Sequence, residues 1–143
     1  MTTGTLVDPF VNFNFLVEID GIRRAGFQEC TGYNSSINVI KHNEGGSITP
    51  RKIPGQTDYS DITLKWGMAD DTDLYDWHMQ TANGQIARKN GSIVVLDRAG
   101  NEVSRWNFIR AWPSKWDGPA LNAEGNDIAI ETLVLTHEGL SRG

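Results

Sequence analysis

Three histidines and one cysteine carry the side chains best suited to metal binding or to nucleophilic catalysis. His42, His78 and His137 lie 36 and 59 residues apart along the chain, which is not the spacing of a local metal site. Cys30 has no neighbouring motif of a catalytic thiol, and a free cysteine is most often a small buried apolar residue. We therefore predict neither a metal site nor a bound cofactor.

Asp70, Asp71 and Asp73 form a dense group of carboxylates. A calcium loop of the EF-hand type also begins with closely spaced acidic residues, but it needs a glycine and a final glutamate at offsets that this segment lacks. Acidic residues also favour the first turn of a helix, and we adopt that interpretation. Because no acid, base, nucleophile or metal ligands converge in the sequence, we predict that the protein is not an enzyme.

Length, charge and cysteine content narrow the remaining classes of protein. A chain of 143 residues suits one domain with a sizeable core, and its single cysteine excludes a disulfide within the chain. The net charge of −5 argues against a nucleic-acid-binding surface and against attachment to an anionic membrane. The N-terminus lacks the features of a signal peptide, and no apolar run approaches about 20 residues. We therefore expect a protein made in the cytoplasm without a membrane anchor.

Hydrophobic alternation predicts that most of the chain forms β-strands. Every second residue over 13–19 is apolar, which is the period of a strand with one buried face. The Asp-Gly dipeptide at 20–21 suits a tight hairpin, so we expect a second strand, over 22–30, to pair with the first. Similar patterns predict strands at 35–42, 62–66, 92–97, 102–112 and 127–138.

One helix is predicted between Asp70 and Asn83. Asp71 or Thr72 can cap its N-terminus, and Gly84 can end it. Residues 113–126 are rich in turn formers and predict a connection without regular structure. The resulting fold class is mainly β, an antiparallel β-sandwich or barrel with one flanking α-helix.

Two features of the sequence are not explained by the packing of a single hydrophobic core. Residues 41–61 hold three glycines and two prolines, and we predict a polar loop there that runs to about Asp58; loops this long are usually functional or disordered. Three of the five tryptophans lie within eleven residues. Because tryptophan is enriched at protein–protein contacts, Trp112 and Trp116 are candidates for a subunit interface.

Three long segments together resemble the tail-tube proteins of contractile phages and of phage-tail-like injection systems. They are DPFVNFNFLVEIDGIRRAGFQECTG, then EGGSITPRKIPGQTDYSDITLKWG, then the segment from Asn90 to Leu140, which contains AWPSKWDGPALNAEGN. They cover nearly the whole chain in the expected order. The resemblance implies a single tail-tube domain over 1–143 that forms hexameric rings, and these rings stack into a hollow tube.

The same resemblance implies the partners and the location of the protein. A sheath protein would surround the tube and drive it through a target envelope. Baseplate or hub proteins would lie at one end of the tube, and terminator proteins at the other. DNA or protein cargo would occupy the lumen. The chain would be made in the bacterial cytoplasm and assembled into a phage tail or a released particle.

In similar tube proteins the segment after the early strands reaches the adjacent ring. The resemblance therefore implies an extended inter-ring loop at about 42–58. Its charged residues would set the register between rings; these candidates are Lys41, Glu44, Arg51, Lys52 and Asp58. Two alternatives remain open: a tube-terminating or baseplate-hub ring of the same fold, and a monomeric carbohydrate- or ligand-binding β-sandwich whose tryptophans stack on a sugar.

Overall fold

The structure, a computed structural model, describes residues 14–20, 22–24, 26–46, 48–68, 72–125 and 129–143. Within these ranges the chain forms ten strands and one helix. The elements in chain order are β1 (Asn14–Ile19), β2 (Ile22–Arg24), β3 (Phe27–Thr31), β4 (Ser35–His42), β5 (Arg51–Tyr59), β6 (Ile62–Gly67), α1 (Asp73–Ala82), β7 (Lys89–Leu96), β8 (Glu102–Asp117), β9 (Ile130–Thr136) and β10 (Gly139–Arg142).

Two antiparallel sheets share the long strand β8. Its first part lies between β7 and β10, and β1 and β2 extend this first sheet beyond β7. Residues 112–117 of β8 pair with β9, and β6 and β3 complete the second sheet. Arg110 has a φ of 52° at the point where β8 passes between sheets, and the pairing register shifts again after Pro113. The predicted fold class, mainly β with antiparallel sheets and one flanking α-helix, is confirmed.

One core lies between the sheets and α1. The first sheet contributes Val17, Ile93 and Phe108, and the second contributes alternate residues of β6 and β9, including the fully buried Leu64 and Leu133. This alternation follows from the two-residue period of a strand with one buried face. The helix adds the side chains of Leu74 and Trp77.

The predicted helix is confirmed over residues 73–82, while Asp70 and Asp71 lie outside the described residues. Trp77 fixes its position by donating a hydrogen bond from Nε1 to the Ala87 carbonyl oxygen at 2.8 Å. The hydroxyl of Thr72, at the N-cap, bonds to the carboxylate of Asp76 at 3.0 Å instead of capping the backbone. Gly84 has a φ of 91°, a conformation that glycine accepts without strain.

Two predicted strands and one predicted connection are wrong in extent. The predicted strand over 22–30 is two strands, because β2 pairs with β1 whereas β3 pairs with β6 in the other sheet. The predicted connection over 113–126 begins only after residue 117, at the end of β8. The predicted strand over 127–138 is β9 alone, and β10 follows in the first sheet; residues 13, 127 and 128 lie outside the described part of the chain.

The predicted polar loop over 42–58 is largely a strand. Residues 51–59 form β5, which pairs with β4 to make a two-stranded sheet of its own, so the connection spans only 43–50. Seven of the nine residues of β5 are exposed, so the usual signal of a strand, one buried face, is missing from this segment. Pro54 lies within β5, where a proline is tolerated because an edge strand has donors that face away from its partner.

Candidate assembly surfaces

The hairpin of β4 and β5 is held firmly at its base. The Asn34 carbonyl accepts a hydrogen bond from the Ser60 amide at 3.1 Å. Gly32, with a φ of 90°, lies so near the next segment that a Cβ there would be 2.1 Å from the Asp61 carbonyl oxygen. Only glycine fits this close approach. The base of the hairpin therefore has a fixed position on the domain.

His137 reinforces this base from the junction between β9 and β10. Its imidazole is buried, with Nε2 2.8 Å from the Ser60 carbonyl oxygen and Nδ1 3.1 Å from that of Gly139. The Tyr59 ring lies beside it, with centroids 5.8 Å apart. This role was not predictable from the sequence, because no local pattern links His137 to Ser60, which lies 77 residues earlier.

Beyond its base, the hairpin leaves apolar side chains exposed on both faces. Ile37 and Val39 lie on one face and are more than half exposed, and Ile40 lies opposite Ile53 on the other. Ile48 in the connection is fully exposed. Clustered exposed apolar residues are uncommon on a monomeric protein and mark contact surfaces. The hairpin is thus a surface that a partner would cover.

The charged candidates of the hairpin separate into two groups. Arg51 and Glu44 form an ion pair with each other at 3.2 Å. Lys41 and Lys52 lie directly opposite each other on adjacent strands, and Asp58 stands near the base and accepts a hydrogen bond from the Tyr59 amide at 3.0 Å. Neither these lysines nor Asp58 has an ion pair within the ranges that the structure describes.

Both sheets also end in strands with one unpaired edge. Along the described chain, β3 pairs only with β6, and β2 pairs only with β1. An open strand edge presents backbone donors and acceptors to other chains and needs a partner or a cover. These edges are therefore available for pairing with a strand of another chain.

The two tryptophan candidates have different surroundings. Trp116 packs against the core and meets the Tyr75 ring edge-on, with centroids 4.7 Å apart; its buried Nε1 has no hydrogen-bond partner among the described residues. Trp112 is half-buried and lies outside the core cluster. The structure thus places Trp116 in the fold of its own chain, and Trp112 is the better interface candidate.

The remaining reactive residues do not converge on a site within the described part of the chain. No group of three or more His, Cys, Asp or Glu side chains in the described ranges could hold a metal ion. His42 is exposed on β4, and His78 lies with Nδ1 3.1 Å from the Pro113 carbonyl oxygen. Burial raises the pKa of the Cys30 thiol to about 12, so the reactive thiolate is disfavoured. None of the helices in the described ranges is long and apolar enough to span a membrane.

These surfaces define a structural β-protein, whose hairpin and sheet edges other chains can complete. The sequence pattern of the family described as T4-like virus tail tube protein gp19 matches residues 11–141, and the chain belongs to this family. It is a tail tube protein of the kind found in contractile injection systems.

Solved structures support the same assignment. A chain of the extended-state sheath–tube complex of the PVC extracellular contractile injection system is similar over 100% of this chain and 98% of its own, with 25% identity and a TM-score of 0.88. A chain of the extended PVC sheath/tube terminator is similar over 96% of this chain and 99% of its own, with 26% identity and a TM-score of 0.84.

A more distant structure shows the fold alone. Hcp1 from Flavobacterium johnsoniae is similar over 91% of this chain and 94% of its own, with 17% identity and a TM-score of 0.58. A search of curated proteins found no match.

Proposed function

We propose that this chain forms hexameric rings that stack coaxially into the hollow inner tube of a contractile tail or injection particle. The observation that carries the proposal is the β4–β5 hairpin, which is fixed at its base but exposes apolar side chains along its length. A ring or stack of copies would cover this surface. The full-length similarity to a chain of a sheath–tube complex supports the same proposal independently.

Within a ring, the open edges of β2 and β3 are the places where neighbouring copies would pair. Ring closure satisfies strand edges without leaving an open-ended sheet. Half-buried Trp112 would contribute to the subunit interface. The hairpin would reach the adjacent ring, with the five charged residues Lys41, Glu44, Arg51, Lys52 and Asp58 as the inter-ring contacts.

The tube would lie within a contracting sheath and end at baseplate or hub and terminator proteins. Sheath contraction would drive it through a target envelope, with DNA or protein cargo in its lumen. This role is mechanical and needs neither catalysis nor a cofactor. Synthesis in the bacterial cytoplasm, followed by assembly into a phage tail or a released particle, completes the proposal.

Electron microscopy of the purified chain, together with its mass by light scattering, tests this proposal. We expect hexameric rings and stacks of rings. The matched variant shortens the hairpin by joining Ile37 to Thr57 through Asn-Gly, a dipeptide suited to a two-residue turn. This variant should fold and form rings but should not stack, whereas replacing Ala99-Gly100 by Asn-Gly in the β7–β8 turn should leave stacking intact.

Two outcomes would contradict the proposal. Normal stacks from the shortened variant would show that the hairpin does not join rings. A wild-type chain that stays monomeric at every concentration would exclude ring formation. Glycan screening would then test whether the chain is a ligand-binding β-sandwich. The likeness to a sheath/tube terminator chain favours a tube-ending or hub ring as the second candidate; rings that never extend into stacks would support it.

A further inference from the structure

The β4–β5 hairpin carries opposite charges at its two ends. Lys41 and Lys52 lie beside the connection, whereas Asp58 lies near the base. Asp58 follows Lys52 by six positions along β5, and at about 3.3 Å per residue this corresponds to roughly 20 Å. The two ends are therefore too far apart to meet within one straight hairpin.

The lysine pair is unfavourable within a single chain. Directly opposite side chains in an antiparallel sheet have Cβ atoms about 5 Å apart, and like charges at such positions destabilise the pairing. Arg51, the neighbouring basic residue, is neutralised by Glu44, but Lys41 and Lys52 have no ion pair among the described residues. Their face continues into exposed apolar Val39. This end of the hairpin would gain from contact with a carboxylate.

A second copy of the chain can provide that carboxylate. The whole chain has a net charge of −5, whereas residues 35–59 hold three basic and two acidic side chains. Asp58 uses one carboxylate oxygen, Oδ1, to accept the hydrogen bond from Tyr59, and its other oxygen has no hydrogen-bond or ion-pair partner among the described residues. Asp58 is exposed at a base whose position Ser60 and His137 fix, so it is a preorganised acceptor.

We infer that the Lys41–Lys52 end of one hairpin docks beside Asp58 at the hairpin base of the next copy. The inference rests on the proposed function, because it names the contact by which copies assemble. The contact is heterologous, since two different surfaces meet. Repetition of a heterologous contact closes a ring or extends a stack and gives the assembly a direction.

A charge swap tests the head-to-tail contact. The variant Lys41→Glu with Lys52→Glu has two acidic ends, and the variant Asp58→Lys has two basic ends. Each variant alone should assemble poorly, with an increase of about tenfold or more in the concentration needed for assembly, because like charges would meet. An equal mixture should assemble again, since each end then meets an opposite charge. Sedimentation and electron microscopy measure both effects at low salt, where screening is weakest.

Matched controls separate this contact from net charge and from folding. Arg88→Glu with Arg98→Glu makes the same charge change at exposed positions outside the hairpin and should assemble normally. Asp58→Asn keeps an oxygen for the Tyr59 amide and should give an intermediate effect. In a Cys30→Ser background, Lys52→Cys mixed with Asp58→Cys should form disulfide-linked dimers faster than either variant alone.

The outcomes distinguish this inference from the proposed function. Normal tubes from both charge variants, or a mixture that fails to recover, would overturn the Lys–Asp contact while leaving the tube intact. If Asp58→Lys assembles normally but Lys41→Glu with Lys52→Glu does not, the lysine pair contacts a different acceptor. This result would also reject the contact with Asp58. Absence of any wild-type ring or tube would reject the proposed function itself.

Discussion

Arg105 on β8 forms an ion pair with Glu18 on β1 across the intervening strand β7, with Nη1 3.0 Å from Oε2. A second carboxylate, that of Glu102, lies 2.8 Å from Nη2. Hydrogen bonds to Glu102 and then to Glu18 raise the pKa of the Arg105 guanidinium. The two partners Arg105 and Glu18 are only 25% and 23% exposed, so solvent screens this pair less than an ordinary surface pair. The Arg105 side chain thus links β8 to β1 across β7.

Replacing Arg105 by Met should lower the free energy of unfolding by about 1–2 kcal/mol, because two neighbouring carboxylates would lose their shared cation. Urea denaturation at low salt measures the loss. The control is Lys115→Met, which removes a more exposed pair with Asp117, 3.5 Å long, and should cost less than about 0.5 kcal/mol. Equal effects of the two substitutions would show that the Arg105 network adds no stability.

Gly91 gives a second test in the same sheet. A Cβ at this position would lie 2.4 Å from both the Glu18 carbonyl oxygen and Phe108 Cζ. Phe108 is fully buried, and the Glu18 carbonyl belongs to the backbone of the paired strand β1, so Gly91→Ala should destabilise the fold by about 1–3 kcal/mol through overpacking. Thermal and urea unfolding measure this change. Gly45→Ala, where a Cβ would meet nothing within 4 Å, should be close to neutral; similar losses at both sites would contradict the steric explanation.

The sequence was sufficient where burial decides structure. Ile62, Leu64 and Trp66 alternate and are all buried, and the helix signals between Asp73 and Gly84 correspond to α1. Strand ends were not predictable in the same way. A strand ends where the chain leaves one sheet for the other, as between β9 and β10. The alternation of apolar residues does not reveal such a point, because it has a period of two whichever strand is the partner.

The second strand of the hairpin, β5, was not predictable for a related reason. The strand predicted over 35–42 is β4, but most residues of β5 are exposed, so the sequence of β5 lacks the alternation that marks burial. The resemblance nevertheless indicates the charged residues of the hairpin as candidates for inter-ring contacts, and the structure places Lys41, Arg51, Lys52 and Asp58 on β4 and β5. Pairings such as Arg51 with Glu44 required the three-dimensional register.

His137 should control the rigidity of this hairpin. His137→Phe keeps an aromatic ring beside Tyr59 and Phe108 but leaves the Ser60 and Gly139 carbonyls without their imidazole contact. We expect a loss of about 1–3 kcal/mol in the free energy of unfolding, as for other buried groups left unpaired. Amide exchange in β4 and β5 should also become faster than in β7.

His42→Phe, at an exposed position of β4, is the matched control and should leave both measurements close to wild type. Faster exchange in the core strands with no change in the hairpin would show that His137 supports the sandwich in general and not the hairpin base.

The thiol of Cys30 should make the free energy of unfolding decrease in alkaline solution. Burial raises its pKa from the ordinary 9.0 to about 12. Below pH 9 the thiol is protonated in both states and has no effect on pH dependence; between about 9 and 12 the unfolded chain loses the proton while the folded chain keeps it. The contribution of this residue therefore falls by about 1.4 kcal/mol per pH unit across that window. Urea unfolding of the wild type and of Cys30→Ala should give free energies whose difference, wild type minus variant, decreases steadily above pH 9. A constant difference would show that the thiol titrates alike in both states.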